Sequence, residues 1–382
     1  MWNQKQARWL QNELTSTLVI ALTITLGVAT HPSESFAFPE MVRHGYQNCT
    51  ACHISTNGGG ILTQYGRALS REVMSSWGQE GEENFLYGAI PPVNWLALGG
   101  DVQTLNITQQ DRAPQSRFIL MHADLEAAVN VGQFTATGTL GLLDSAIFPE
   151  GNHLISRRHY LRYHPTDELF FRAGRFNQAF GINTAEHAMV TKRSLGWDEG
   201  SESYNLEGSW IGEKVNVYVT GNFGRLDSPK LNRDVGVTGS LAYAAAEKIK
   251  IGSSYYYGTN DFARRNILGG WGIVGFTKKI VLLGEYDLQR YFAATAIDPQ
   301  WGSVDYLKLD GEVLRGLHVF ATQEYAQLNF LDSNTQTYVY GIGTQFFPRP
   351  HFDFQLVFQT RDNVGTGLGF KNWVFFLLHY YL

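Results

Sequence analysis

From about Asn94 to Leu382, apolar and polar residues alternate with a period of two, in runs of roughly ten residues separated by turn residues. In "HFDFQLVFQ", Phe352, Phe354, Leu356 and Phe358 share one face, and Asp353, Gln355 and Gln359 share the other. In "DYLKLDGEVL", Leu307, Leu309 and Val313 oppose Lys308, Asp310 and Glu312. In "SRRHYLRYH", Ser156, Arg158, Tyr160, Arg162 and His164 fall on one parity. Such alternation marks strands with one apolar face and one face turned to water. The runs predict about sixteen strands, at 94–107, 115–129, 132–147, 154–164, 167–177, 201–211, 213–224, 233–246, 247–258, 265–277, 279–291, 303–314, 316–329, 336–347, 350–360 and 370–382.

A soluble β-sandwich alternates too, but three features favour a transmembrane antiparallel β-barrel over 89–382. Charged residues cluster on the polar faces, and aromatic residues gather at strand ends, as in Tyr255–Tyr257 and Arg290–Phe292. Tight turns ("IGEK", "AAEK", "FTKK", "FPRPH") also alternate with looser connections ("RLDSPKLNR", "TAIDPQWG", "LDSNTQ"). Short periplasmic turns and long outer loops are the habit of outer-membrane barrels. The longest connection, Gln178–Gly200, falls on the outer side, and a loop of that length is functional or folds into the pore. In "WVFFLLHYYL", Val374, Phe376, Leu378, Tyr380 and Leu382 keep one face apolar to the end.

Composition agrees with a barrel. Aromatic residues reach 14% and charged residues only 17%, with 40 glycines. A net charge of −5 and the lack of a basic stripe argue against a nucleic-acid partner. The N-terminus adds export. Lys5 and Arg8 precede the apolar run Leu18–Ala29, and Ser35-Phe36-Ala37 is a small-x-small cleavage site, so 1–37 reads as a signal peptide. The run is shorter than the ~20 residues a spanning helix needs. Export and a barrel together predict the outer membrane, with its lipid as a partner.

The segment 38–88 carries the chemistry. Cys49-Thr50-Ala51-Cys52-His53 holds both cysteines of the chain and is C-x-x-C-H, the attachment sequence for c-type haem. Two thiols add across the haem vinyl groups, and the following histidine supplies the proximal nitrogen to iron. A zinc site would want further ligands, a thioredoxin-like dithiol a βαβ setting, and a disulfide here would close too small a loop to stabilise much. One haem c is therefore expected, with Cys49 and Cys52 as thioethers and His53 as axial ligand. His44 is the leading candidate for the sixth iron ligand, with Met41, Met74 and lumenal histidines of the barrel as alternatives, and an open sixth site would point to ligand binding or catalysis. After a Gly-rich turn at Asn57–Gly60, a helix is expected with Leu69, Val73 and Trp77 in one apolar stripe. Arg67 and Arg71 on it are candidate propionate partners, or solvated helix charges. Some fifty residues rarely bury enough surface to stand alone, so this partly helical segment is expected in the lumen or at its periplasmic mouth.

With the motif followed by "LTQYGRALS", whose Tyr65-Gly66-Arg67 is an aromatic-Gly-Arg element, the chain resembles the fused outer-membrane monohaem cytochrome–porins, including those of iron-oxidising bacteria. The resemblance implies electron transfer across the outer membrane, with Fe(II) as donor in one branch and hence a metal-oxidase type of activity. His44 ahead of the motif and the glycines behind it depart from the iron-oxidising pattern. Separately, "RAGRFNQAFGINTAEH" looks like a segment recurring in porin-like outer-membrane families.

The leading functional expectation is an electron-transfer conduit rather than a classical enzyme. Its partners would be a periplasmic cytochrome on one face and an extracellular donor or acceptor, such as a metal ion, on the other. The runner-up is a diffusion porin whose haem segment gates the channel or senses redox state. A haem enzyme acting on a small molecule ranks third, because no acid–base constellation is visible. In the long loop, Asp198, Glu199 and Glu202 could attract a cation, although solvated loop acids are the commoner case.

Overall fold

The computed structural model describes residues 38–109, 115–142, 154–184, 189–197, 202–226 and 234–382. The expected signal peptide, Asp198 and Glu199 lie outside them. The strands are β1 (Leu96–Gln109), β2 (Gln115–Val131), β3 (Phe134–Leu142), β4 (Leu154–Ile155), β5 (His159–Tyr163) and β6 (Leu169–Phe176). After a helical loop come β7 (Ser203–Ile211), β8 (Val215–Asn222), β9 (Val235–Ala246), β10 (Ile249–Thr259), β11 (Ala263–Gly275) and β12 (Ile280–Ala293). The last five are β13 (Gln300–Leu314), β14 (Leu317–Gln327), β15 (Gln336–Phe346), β16 (Phe352–Asn363) and β17 (Lys371–Tyr381).

Every pairing is antiparallel, and β1 pairs with both β2 and β17, which closes the sheet into a barrel. β4 and β5 both pair with β3 and form one interrupted stave, so the seventeen strand segments make sixteen staves. The expected strand at 154–164 is thus broken at Ser156–Arg158. There Arg158 keeps its backbone bonds to Thr139 while its guanidinium, like that of Arg157, turns to a wall carboxylate, Glu126 and Asp124 respectively. The other fifteen expected strands coincide with observed ones to within a few residues, save that 143–147 of the strand expected at 132–147 lie outside the described residues. At the seam, Leu382 and Gly100 exchange both backbone hydrogen bonds, at 2.8 and 3.3 Å. A side chain at Gly99 would strike the Leu382 carbonyl, so glycine is required there.

The alternation is turned inside out relative to a soluble protein. On β13, Leu307, Leu309 and Val313 are exposed on the outer face, whereas Lys308 and Asp310 are buried inside. On β16, Leu356 and Phe358 face outward, and Asp353, Gln355 and Gln359 inward. Stacked rings of Phe134, Tyr163 and Phe171 sit at the short-turn end, part of the aromatic edge such barrels place at the membrane interface. The expectation that the polar faces meet water holds only in part. Much of the lumen wall is covered by residues 38–88 and by the loop after β6.

Candidate functional site

The segment following Phe38 starts with a 3₁₀ turn, Pro39–His44, opened by Pro39 and ended by Gly45 in the left-handed region. A second 3₁₀ turn, Cys49–Ala51, carries the C-x-x-C-H motif. The Cys49 carbonyl accepts from the N–H groups of Cys52 and His53, at 3.2 and 2.9 Å, which folds both thiols and the imidazole into one turn. Next comes a small hairpin, closed by the bridge between His53 and Leu62. Helix α1 (Gln64–Leu69) is capped by the Thr63 hydroxyl, which accepts from the Gly66 N–H at 3.1 Å.

The expected stripe of Leu69, Val73 and Trp77 is corrected here. α1 runs into a π turn, Ser70–Met74, and Ser75 is already extended, so only Leu69 and Val73 pack, against Cys52, Tyr46 and Ala51. Trp77 is exposed, with its ring edge-on to Phe346 at 5.6 Å.

Wall residues fasten this segment near the short-turn end. Arg43 pairs with Asp310 at 2.6 Å, and Lys308 with Glu40 at 3.0 Å. Gln47 donates to the carbonyls of Ala246 and Glu247, Asn48 to that of Gly212, and Ser76 to that of Arg315, all at β-turns or strand ends. Deeper in, Arg162 donates to the Ile54 carbonyl, Tyr218 to that of Thr56 at 2.9 Å, and Arg172 to Ser55 and Asn57. From the opposite end the loop after β6 folds inward. Its helix α2 (Val190–Leu195) packs on a cluster with Tyr256, Ile267 and Val304, and the N–H of Ile182 donates to Glu285 at 2.7 Å. Asn183 and Asn57 then join the loop to the haem-motif hairpin. Glu202, read as a loop acid from sequence, is instead buried, 3.9 Å from Arg175.

Between hairpin, loop and wall lies a cavity of about 1000 Å³, lined in part by Cys49, His53, Gly58, Tyr160, Phe180 and Trp197. Gly58, Gly59 and Gly60 all have positive φ (86°, 74°, 68°) and line it, so the hairpin presents bare backbone where side chains would intrude. The Nδ1–H of His53 donates to the Gly60 carbonyl at 3.3 Å, which sets the tautomer of the ring. Burial pushes the Cys49 thiol up from its ordinary range. The donor set of Cys49, Cys52 and His53 in one turn, a glycine cradle and a cavity at the upper end of ligand-site volumes all fit a haem.

The other candidates distribute unevenly. Arg67 is buried, donates to the Leu98 carbonyl and shares a second cavity of about 320 Å³ with His53. Burial pulls its guanidinium below its ordinary range. Arg71 is engaged elsewhere, with Glu72 at 2.6 Å and Glu83 at 2.9 Å. His44 lines a separate space of about 30 Å³ with Met41, Met74 and His318, away from both His53 cavities. Its imidazole is pushed down to about 4 by burial and by the Arg43 guanidinium. The structure thus holds Cys49, Cys52 and His53 in one turn, places Arg67 in a second cavity that His53 also lines, and sets His44 and Arg71 apart. Arg172, Glu207, Tyr218 and Lys250, which hold the residues on either side of the motif from the wall, carry no motif of their own. Their inward strand parity was the only available signal.

No protein-family model matches the chain, and no curated protein matches it. Among solved structures it is similar to outer-membrane OmpT of Vibrio cholerae, with a TM-score of 0.59, 10% identity, and coverage of 77% of this chain and 100% of that one. The outer membrane channel DcaP of Acinetobacter baumannii follows at TM-score 0.54 and 13% identity, covering 75% and 97%. The anion-selective porin from Comamonas acidovorans matches at TM-score 0.55 and 12% identity, covering 75% and 99%. At such identities the likeness is one of fold. A closed barrel of that fold with an apolar outer face places the chain in the outer membrane.

Proposed function

We propose that this protein is an outer-membrane electron-transfer conduit, a barrel whose 38–88 segment carries one covalent haem c within the lumen. The observation that carries the reading is the C-x-x-C-H turn beside a glycine-lined cavity, with the His53 tautomer set by Gly60. Bound there, a haem supplies one-electron redox chemistry. Cys49 and Cys52 would hold it and His53 would ligate the iron, while Arg67 borders the second cavity beside His53. Glu207, Arg172, Tyr218 and Lys250 hold the residues flanking the motif against the wall. An apolar band ~25 Å tall is too deep for direct exchange between soluble partners, so a redox group inside it shortens each transfer. A periplasmic cytochrome and an extracellular donor or acceptor such as a metal ion complete the circuit, as in the cytochrome–porins the sequence resembles.

The porin fold favours a second reading, a diffusion channel gated by its haem segment. Produced in a host that matures c-type cytochromes, the protein should show covalent haem bands that Cys49→Ser or Cys52→Ser abolishes. In the conduit, proteoliposomes should reduce an enclosed acceptor without passing small sugars, and carbon monoxide binding to the reduced protein reads whether a sixth ligand closes the iron. Sugar flux without electron transfer would favour the channel. A correctly exported barrel without covalent haem would end the conduit reading.

A further inference from the structure

Three side chains outside the haem segment converge on the lumen wall where β1, β2 and β17 meet. Nε2 of His122 and Nε2 of His379 each stand 2.8 Å from the same oxygen, Oδ1 of Asp101. All three donor atoms lie within 4.8 Å of one another, and the two rings cross at 83°. Strand register explains the meeting. Gln103 is the partner of His122 on one side and of His379 on the other, and Asp101 is two residues away on the same face. Both histidines are nearly fully buried, whereas the Asp101 side chain is 23% exposed. Asp101 and His379 line the 1000 Å³ cavity, so the cluster is open on one side only.

We propose that Asp101, His122 and His379 bind a divalent first-row transition-metal ion, with two imidazoles and one carboxylate on one side and the remaining coordination positions open to the cavity. Metal–nitrogen and metal–oxygen bonds of ~2.0–2.2 Å put adjacent ligand atoms roughly 3 Å apart. The observed 2.8 Å separations therefore need little rearrangement to admit an ion in place of the two shared hydrogens. Imidazole with carboxylate suits Fe²⁺, Zn²⁺ and their neighbours better than Ca²⁺ or Cu⁺, and two histidines with one carboxylate leave open positions.

The surroundings match such a site. Binding requires neutral rings with their protons on Nδ1, and Nδ1 of His379 faces Asp353 Oδ2 at 4.0 Å. That carboxylate accepts at Oδ2 from the Gln345 and Gln355 amides, each at 2.9 Å, and is placed to take the Nδ1–H of His379 into an outer-shell hydrogen bond once an ion occupies Nε2. The nearby acids Asp124 and Glu126 pair with Arg157 and Arg158, while Asp101 and Asp353 meet imidazole and amide groups instead. The cation's charge thus falls on carboxylates that make no direct contact with a guanidinium among the described residues. No residue of 38–88 contributes a ligand to this site.

The test is calorimetric titration of the full-length barrel, stripped with a chelator in detergent, with Zn²⁺ alone, together with X-ray absorption on the zinc-loaded protein. One equivalent should bind, with imidazole scattering at ~2.0 Å. Asp101→Asn and His379→Gln should lose that equivalent, and Asp353→Asn should weaken it about tenfold. Folding of each variant is checked by the heat-dependent gel shift of intact barrels. Unchanged stoichiometry in folded Asp101→Asn and His379→Gln would overturn the proposal. Should those variants fail to fold, a wild-type spectrum without imidazole ligation would overturn it equally.

Discussion

Replacing Glu207 with glutamine tests how the haem-motif hairpin is held to the wall. Glu207 and Arg172 have fully buried side chains, with Arg172 Nη2 2.7 Å and Nε 2.9 Å from Glu207 Oε1. Thr56 of the hairpin donates to the same oxygen at 3.0 Å, and Thr220 to the other at 3.0 Å. Arg172 also reaches Ser55 and Asn57 and lies over the Phe176 ring, 4.1 Å from its centroid. Glu207→Gln keeps the shape, but it removes the only carboxylate among these partners and turns an amide N–H toward a donor. Leaving a buried cation uncompensated costs about 3–5 kcal/mol. At 1.4 kcal/mol per decade, release of residues 54–57 from the wall becomes roughly a hundredfold more frequent, or more. Hydrogen exchange of the 54–57 amides, read by mass spectrometry in detergent, reports that opening directly. The double variant Glu207→Gln/Arg172→Met removes both charges and should recover most of the protection. A folded Glu207→Gln whose 54–57 exchange stays within about threefold of wild type would refute the reasoning, because the loss follows from the burial of the pair. So would acceleration spread evenly along β6 and β7.

Three further outcomes are expected. Gly60→Ala must adopt φ near 68° and places its Cβ 3.3 Å from Glu126 Oε2, so it should cost ~1–2 kcal/mol, seen as a lower thermal midpoint in detergent. Leu307→Arg, on the outer face at mid-strand, should destabilise the barrel by about 2–4 kcal/mol in lipid vesicles, and an effect below 1 kcal/mol would place that face away from acyl chains. Burial pushes the His351 imidazole down to about 4 from an ordinary 6.5. Between pH 6.5 and 4 the unfolded chain therefore takes up a proton that the folded protein refuses. Stability is full above 6.5 and declines toward 4, and His351→Asn, which tolerates the local φ of 68°, should flatten that part of the urea-midpoint profile.

The barrel was legible because lipid enforces a strict rule on every stave. Leu307, Leu309 and Val313 could face nowhere else, so parity alone assigned them. Where a second element covers the wall from inside, that rule loses its contrast. Val281 and Leu283 on β12 are buried against Val42 and Ile182, although an apolar residue on a stave reads as lipid-facing. The C-x-x-C-H turn was equally plain, being local chemistry. Its fastening was not, because Thr56 meets Glu207 from 151 residues away, and only closure of the sheet sets that distance. The uneven placement of His44 and Arg71 has the same origin. Spacing from Cys49 says how far a side chain can reach, whereas Arg43–Asp310 and Arg71–Glu83 decide which way the segment turns.

The seam between β1 and β17 also limits the ways into the barrel. Residues 38–88 are tied to the walls inside the ring, at places as far apart in the chain as Arg162, Ala246, Asp310 and His351. They adjoin β1, whereas the strand that shuts the ring is translated after all the others. Once Leu382 has locked onto Gly100, a body of that size has no side entrance. The segment therefore reaches those walls before the last strand docks or through the open short-turn end, and in either route its continuation into β1 fixes where it enters. Any cofactor attached to Cys49 and Cys52 would have to be installed while that segment is still open to the periplasm.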